Sequence, residues 1–219
     1  MAPKDVGIHI TRLKTDDYTT NETLSRHIDF MADAASRIQP DAKPKVVSYS
    51  CTSGSIIIGE NKVMQEIKKG APYAIPMTLV TGVVDVLREL NVKKIVIGTP
   101  YLDEINTLEA NFFIKKGFEI INIQGLNLST GTSFGKVSPD YWKKFALEID
   151  DPKADAIFLS CGGIQTLEII EEVENITKKP LVTSNQAQMW SCLRRAGIKD
   201  KISGFGKIFQ REGNNIQLF

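Results

Sequence analysis

Short apolar runs alternate with stretches of helical periodicity along nearly the whole chain, and this alternation restricts the fold more than any other feature. A strand that must reach a parallel neighbour needs a crossover, and a helix is the usual one, so the pattern predicts an α/β protein with mainly parallel sheets. Strands are expected at Gly7–Arg12, Lys45–Ser50, Lys94–Gly98, Glu119–Ile123, Ala156–Ser160 and Leu181–Thr183, with Tyr73–Pro76 a weaker one. Helices are expected over 21–38, 60–69, 79–90, 102–116, 140–149, 166–179 and 186–196. Thr20 suits the first as an N-cap, Ser138 followed by Pro139 opens 140–149, and Gly117 and Gly197 stand where helices end.

Several function classes drop out on composition. With 27 basic and 26 acidic residues the formal charge is +1, too little to hold a polyanion by releasing its counterions, so nucleic acid is not an expected partner. No apolar run reaches membrane-spanning length, and the opening MAPKDVGIHITRLKTDD has neither a signal-peptide core nor an Arg-rich amphipathic stretch. A cytoplasmic protein is the expectation. Three cysteines, Cys51, Cys161 and Cys192, cannot all pair internally, and none has metal-ligand spacing, so they read as thiols.

A weak internal repeat points to the site. VVSYS runs into CTSGS at Cys51, and AIFLS runs into CGGIQT at Cys161; each is an apolar strand followed by Ser-Cys and small residues. Two related lobes with matching strand ends facing each other would follow. Ligands of open parallel sheets bind beyond the carboxyl ends of strands, which here read Cys51-Thr52-Ser53-Gly54-Ser55, Thr99-Pro100-Tyr101, Cys161-Gly162-Gly163 and Thr183-Ser184-Asn185-Gln186. This lining is rich in hydrogen-bond donors and holds no Asp, Glu, His or Lys. It suits an anion such as a carboxylate, with Thr52, Ser53 and Tyr101 as hydroxyl partners and Gly162 and Gly163 allowing close backbone approach.

Each thiol is expected at a helix N-terminus, which would lower its pKa from about 8.5 toward neutrality. Two such thiols could flank one substrate carbon, one taking a proton or adding to the carbon while the other delivers a proton. A lone cysteine after a buried strand is more often a small core residue, and that reading is kept for Cys192 in the amphipathic QAQMWSCLRRAG. His9, placed in a strand, and His27, placed in a helix, are expected to be structural. Lys68-Lys69 and Lys178-Lys179 read as solvated helix ends.

Taken together, CTSGS with IIIGE, GTPYLDEIN, FLSCGG and LVTSNQAQMWSCLRRAGI resemble the maleate isomerase and arylmalonate decarboxylase branch of the aspartate/glutamate racemase superfamily, the ectoine-utilisation racemase-like proteins included. The resemblance runs from about Gly7 to Gly206. It implies two flavodoxin-like lobes related by a pseudo-twofold axis, with substrate held between them and no cofactor or metal. The lobes would be residues 1–92 with 198–219, and 93–197. By position Cys51 matches the family's first catalytic cysteine and Cys161 its second, while Thr52, Ser53, Tyr101, Gly162 and Gly163 match its carboxylate-holding pocket. Arylmalonate decarboxylases carry glycine where Cys51 stands. Family members usually begin with a further strand and a substrate-binding loop, so the N-terminal lobe is expected without its first strand. Within GLNLSTGTSFGKV, Thr130-Gly131 stands where maleate isomerases tend to carry Asp-Asn.

The expectation is therefore a cofactor-independent isomerase or racemase of a small carboxylate, a maleate-like dicarboxylate or an acidic amino-acid derivative. An arylmalonate-type decarboxylase and a non-catalytic carboxylate-binding protein are the alternatives. The small carboxylate is the expected partner, and a homodimer is compatible with the resemblance.

Overall fold

A computed structural model describes residues 1–213 and 216; the rest of the expected N-terminal-lobe segment 198–219 lies outside the described residues. Six strands and ten α-helices follow one another among the described residues, and every strand pairing is parallel. The larger sheet has the order β4-β3-β5-β6, from Glu119–Gly125, Lys94–Thr99, Ala156–Leu159 and Leu181–Thr183. A smaller sheet pairs β1 (Val46–Tyr49) with β2 (Ile75–Thr78), in the register Val46↔Ile75 to Tyr49↔Thr78.

Strand alternation explains the layers. In β3 and β5, Ile95, Ile97, Ala156 and Phe158 point to one face, where they pack with Leu79, Val83 and Leu87 of α5 (Leu79–Glu89) and with Ala187 and Trp190 of α10 (Ser184–Arg195). Val96, Ile157 and Leu159 point to the other face, against Trp142, Phe145 and Ala146 of α8 (Pro139–Ile149) and Ile170 and Val173 of α9 (Ile170–Thr177). Both faces are covered, as a parallel sheet requires. Helix α5 meets α10 closely because position 82 has no side chain: a Cβ on Gly82 would stand 3.0 Å from the Ala187 carbonyl oxygen. Asp85 and Arg195 form a buried ion pair at 2.7 Å across the same contact.

The smaller core joins Val47 and Tyr49 of β1 to Met31 and Ala35 of α2 (Ile28–Ser36) and to Val63 and Ile67 of α4 (Glu60–Gly70). On the opposite face of β1, the Gln188 amide of α10 donates to the hydroxyls of Ser48 and Ser50, both at 2.7 Å.

Three sequence expectations change. Gly7–Arg12 carries the alternation of a strand but pairs with none of the described residues, and Ile8 and Ile10 are 53% and 86% exposed. The segment instead lies across a cavity of about 670 Å3 from the outer edge of β1, which has β2 on its other side only. The helix expected over 21–38 is broken into α1 (Asn21–Ser25) and α2, with His27 at the break turning its ring inward. Finally, the helix start expected at Cys51 is present, but the helix it opens, α3 (Thr52–Ile58), lies in a segment outside the helices expected from periodicity, its glycine and β-branched residues being poor helix formers. Among the described residues no helix is long and apolar enough to cross a membrane.

Candidate active site

The carboxyl ends of β1, β3 and β5 meet at a cleft of about 690 Å3 whose wall includes Cys51, Ser53, Tyr101, Cys161, Gly162 and Gly163. Both expected thiols therefore open on one cavity, and a charge on Cys51 disfavours a charge on Cys161. Thr52 is not on that wall. Its side chain is buried and its hydroxyl lies 2.9 Å from that of Ser184, which in turn accepts the Cys161 N–H at 3.0 Å. Through Ser184 the two cysteine loops are tied together.

Cys51 leaves β1 in extended backbone and serves as the N-cap of α3, its sulfur accepting the Gly54 N–H at 3.3 Å. A sulfur so placed faces the free backbone N–H groups that open the helix. The Tyr49 hydroxyl stands beside the same sulfur: a Cβ on Gly54 would lie 2.2 Å from the Tyr49 oxygen and 3.1 Å from Sγ of Cys51, so only glycine leaves room for their approach.

Cys161 does not sit at a helix start, contrary to expectation. A turn follows it, and the next helical residues begin at Leu167. Its φ of +127° is a conformation that side chains rarely adopt, and this aims Sγ at the Gly163 N–H, 3.2 Å away. Burial pushes its thiol up to about 12, against the stabilising hydrogen bonds of Tyr101 and Gly163. At neutral pH this burial favours the thiol over the thiolate. Burial also raises the Tyr101 hydroxyl, with the neighbouring Cys161, Glu109 and Cys51 adding to the effect.

The strand ends alone suggested a lining free of acids and histidine, which the fold corrects. Arg12, Asp16, Asp17 and His27 all reach the cleft wall from the segment before α2. Asp17 fastens that segment to the far lobe, its Oδ1 accepting the Thr132 N–H at 2.8 Å and the Thr132 hydroxyl at 2.9 Å. Behind the wall, Glu109 of α6 (Asp103–Lys115) is fully buried with no completed hydrogen bond to either carboxyl oxygen, and the Ser160 hydroxyl beside it is likewise unsatisfied. Burial pushes Glu109 up to about 7, with Ser160 opposing. Neither Glu109 nor His27 stands out as functional in the sequence: Glu109 lies within α6 and His27 at the break before α2, and only the fold brings them to the site. Among the described residues no group of three His, Cys, Asp or Glu could hold a metal ion. Cys192 is away from the cleft, its sulfur 4.0 Å from that of Met77.

Comparison with known proteins agrees with this architecture. The chain is 29% identical over 195 residues to the arylmalonate decarboxylase of Bordetella bronchiseptica, covering 87% of this chain and 81% of that one. It is 23% identical over 214 residues to the maleate isomerase of Pseudomonas putida KT2440, covering 94% and 85%. Among solved structures, the maleate cis-trans isomerase of Nocardia farcinica with a covalently bound succinylcysteine intermediate superposes with a TM-score of 0.84 at 21% identity, over 91% of this chain and 84% of that one. A cysteine-substituted variant of arylmalonate decarboxylase in the liganded form superposes with a TM-score of 0.82 at 28% identity, over 90% and 85%. The family profile described as arylmalonate decarboxylase matches residues 6–209, and with two parallel-sheet lobes closing on this cleft, the chain belongs to that family.

Proposed function

We propose that the protein is a cofactor-independent isomerase or racemase of a small carboxylate, with Cys51 and Cys161 acting from opposite lobes. One observation carries the reading: the two thiols open on a single cavity. Their environments differ in a useful way. Cys51 faces the start of α3 and suits the role of nucleophile or base, while Cys161 is held protonated by burial and suits the proton donor.

For a cis-alkene diacid, the Cys51 thiolate forms a C–S bond to one alkene carbon as the π pair moves to the next carbon, which takes the Cys161 proton. Rotation about the resulting single bond, return of that proton to Cys161 and loss of the thiolate give the trans isomer. The succinylcysteine captured in the Nocardia farcinica enzyme is an adduct of this type. For an α-hydrogen substrate, one thiolate removes the proton and the opposite thiol supplies another. Ser53, Tyr101 and the Gly162 backbone line the place where a carboxylate would rest.

Incubating maleate, aspartate, glutamate, N-acetyl-diaminobutyrates and hydantoins with the protein in D2O, followed by proton NMR, tests the reading. Isomerisation or α-deuterium exchange is expected with one of them, and neither with any would overturn it. A second reading, decarboxylation of a disubstituted malonate, is favoured by the 29% identity to an arylmalonate decarboxylase and is read by CO2 release from arylmalonates.

A further inference from the structure

A line of hydrogen-bonding groups runs from Cys51 through the small lobe to the protein surface, and none of them has a role in the reaction above. The Tyr49 hydroxyl lies beside the Cys51 sulfur in the corner that Gly54 leaves open. On its other side the same oxygen is 2.5 Å from Nδ1 of His27. Nε2 of His27 is 3.0 Å from the hydroxyl of Thr15, an exposed residue on the cleft rim. Tyr49 and His27 are themselves buried, with their rings edge to face.

We propose that Tyr49 and His27 are positioning residues for Cys51, forming a relay that stabilises its thiolate and carries its proton out to Thr15. This rests on Cys51 being the reacting thiol. The proton balance is complete. With Cys51 as thiolate, Tyr49 donates its O–H to sulfur, His27 donates Nδ1–H to the Tyr49 oxygen, and Thr15 donates to Nε2. With Cys51 as thiol, S–H points to the Tyr49 oxygen, Tyr49 donates to Nδ1, and His27 carries its proton on Nε2, facing Thr15. Passing from thiol to thiolate moves one proton from sulfur to Tyr49, one from Tyr49 to Nδ1, and one from Nε2 to Thr15 and solvent. The tyrosine and histidine start and end neutral.

Such a relay needs an imidazole with a single N–H. Burial lowers the His27 pKa below the usual histidine value, with the nearby Asp16 opposing, so the ring is neutral near neutral pH. The titratable and charged groups that share the cavities lined by His27 include Arg12, Asp16, Asp17, His9, Cys51 and Cys161. Phenol as the middle link keeps the charge off the relay, since burial and the Cys51 charge both hold Tyr49 protonated.

The test uses the full chain with Cys161→Ala and Cys192→Ala, so that iodoacetamide reports on Cys51 alone. Losing one hydrogen bond to a thiolate corresponds to about a tenfold loss of reactivity. Tyr49→Phe is expected to slow alkylation about tenfold between pH 7 and 8. His27→Phe should slow it about threefold, and His27→Gln, whose amide can still donate to Tyr49, should restore it. Alkylation of Tyr49→Phe at the parent rate across pH, or equal rates for His27→Gln and His27→Phe, would overturn the proposal. Should these variants fail to fold, 15N-histidine NMR on the parent protein decides: the His27 proton should move from Nε2 to Nδ1 as rising pH ionises Cys51 and should stay on Nε2 once Cys51 is alkylated, and a tautomer that is the same before and after the ionisation would overturn it. Neither readout needs turnover, so each fails separately from the isomerase reading.

Discussion

The hydroxyl of Ser184 receives the Cys161 N–H at 3.0 Å while lying 2.9 Å from the hydroxyl of Thr52, so one buried oxygen sets the spacing between the two cysteine loops. Ser184→Ala strands that N–H in a fully buried position, at a cost of about 1–3 kcal/mol. Urea unfolding should show the loss, and turnover should fall further than stability does, because the thiols are no longer held in register. Thr52→Ala, which leaves the Cys161 N–H satisfied, should cost less on both measures.

Cys51→Ala and Cys161→Ala should each abolish turnover, whereas Cys192→Ala should retain it. Cys192 packs on Met77 outside the cleft, and burial pushes its thiol up to about 12 with no reacting group beside it. Activity lost in the Cys192 variant alone would show that the roles of the thiols are misassigned.

Glu109 should give the folded protein a distinctive pH dependence. Its folded pKa, about 7, lies above the ordinary glutamate value of 4.5, so the native state binds the proton more tightly than the unfolded chain. Stability from this group is complete below about pH 4.5 and is lost as pH rises through 7, by about 3 kcal/mol in all. Glu109→Gln cannot ionise and should remove that slope. Urea unfolding from pH 4 to 8 checks this, and parallel curves for the two proteins would refute it.

Backbone strain at Cys161 predicts an inversion of the usual ranking of alanine and glycine. At φ +127° a residue with a Cβ stores about 1–3 kcal/mol, and glycine stores almost none. Cys161→Gly should therefore melt higher than Cys161→Ala, with turnover expected in neither. Differential scanning calorimetry of the pair reads it directly.

Much of this arrangement is legible in the residues, for reasons that differ by element. Lys94–Thr99 and Ala156–Leu159 bury both faces in a four-stranded sheet, so their apolar runs announce them. The Ser138-Pro139 and Thr20 starts likewise hold, because capping is a local matter of one side chain and one N–H. Gly7–Arg12 misleads because alternation marks a strand only where the backbone pairs, and this segment pairs with none of the described residues. The acidic and imidazole groups of the site were misjudged for the opposite reason. His27 and Glu109 lie 24 residues or more from the nearer cysteine, and long-range folding alone brings them behind it. For Cys161, no local pattern marks a positive φ, so its distance from any helix start is visible only in three dimensions.

The strand that presents Cys51 is hydrogen-bonded along one side, whereas the strand that presents Cys161 is clamped between β3 and β6. Mechanical stiffness is therefore unequal across the cleft: Cys161 sits on an anvil and Cys51 on a spring. Fluctuations that widen or narrow the gap between the sulfurs will come chiefly from the small lobe, where an incoming substrate meets the more yielding wall.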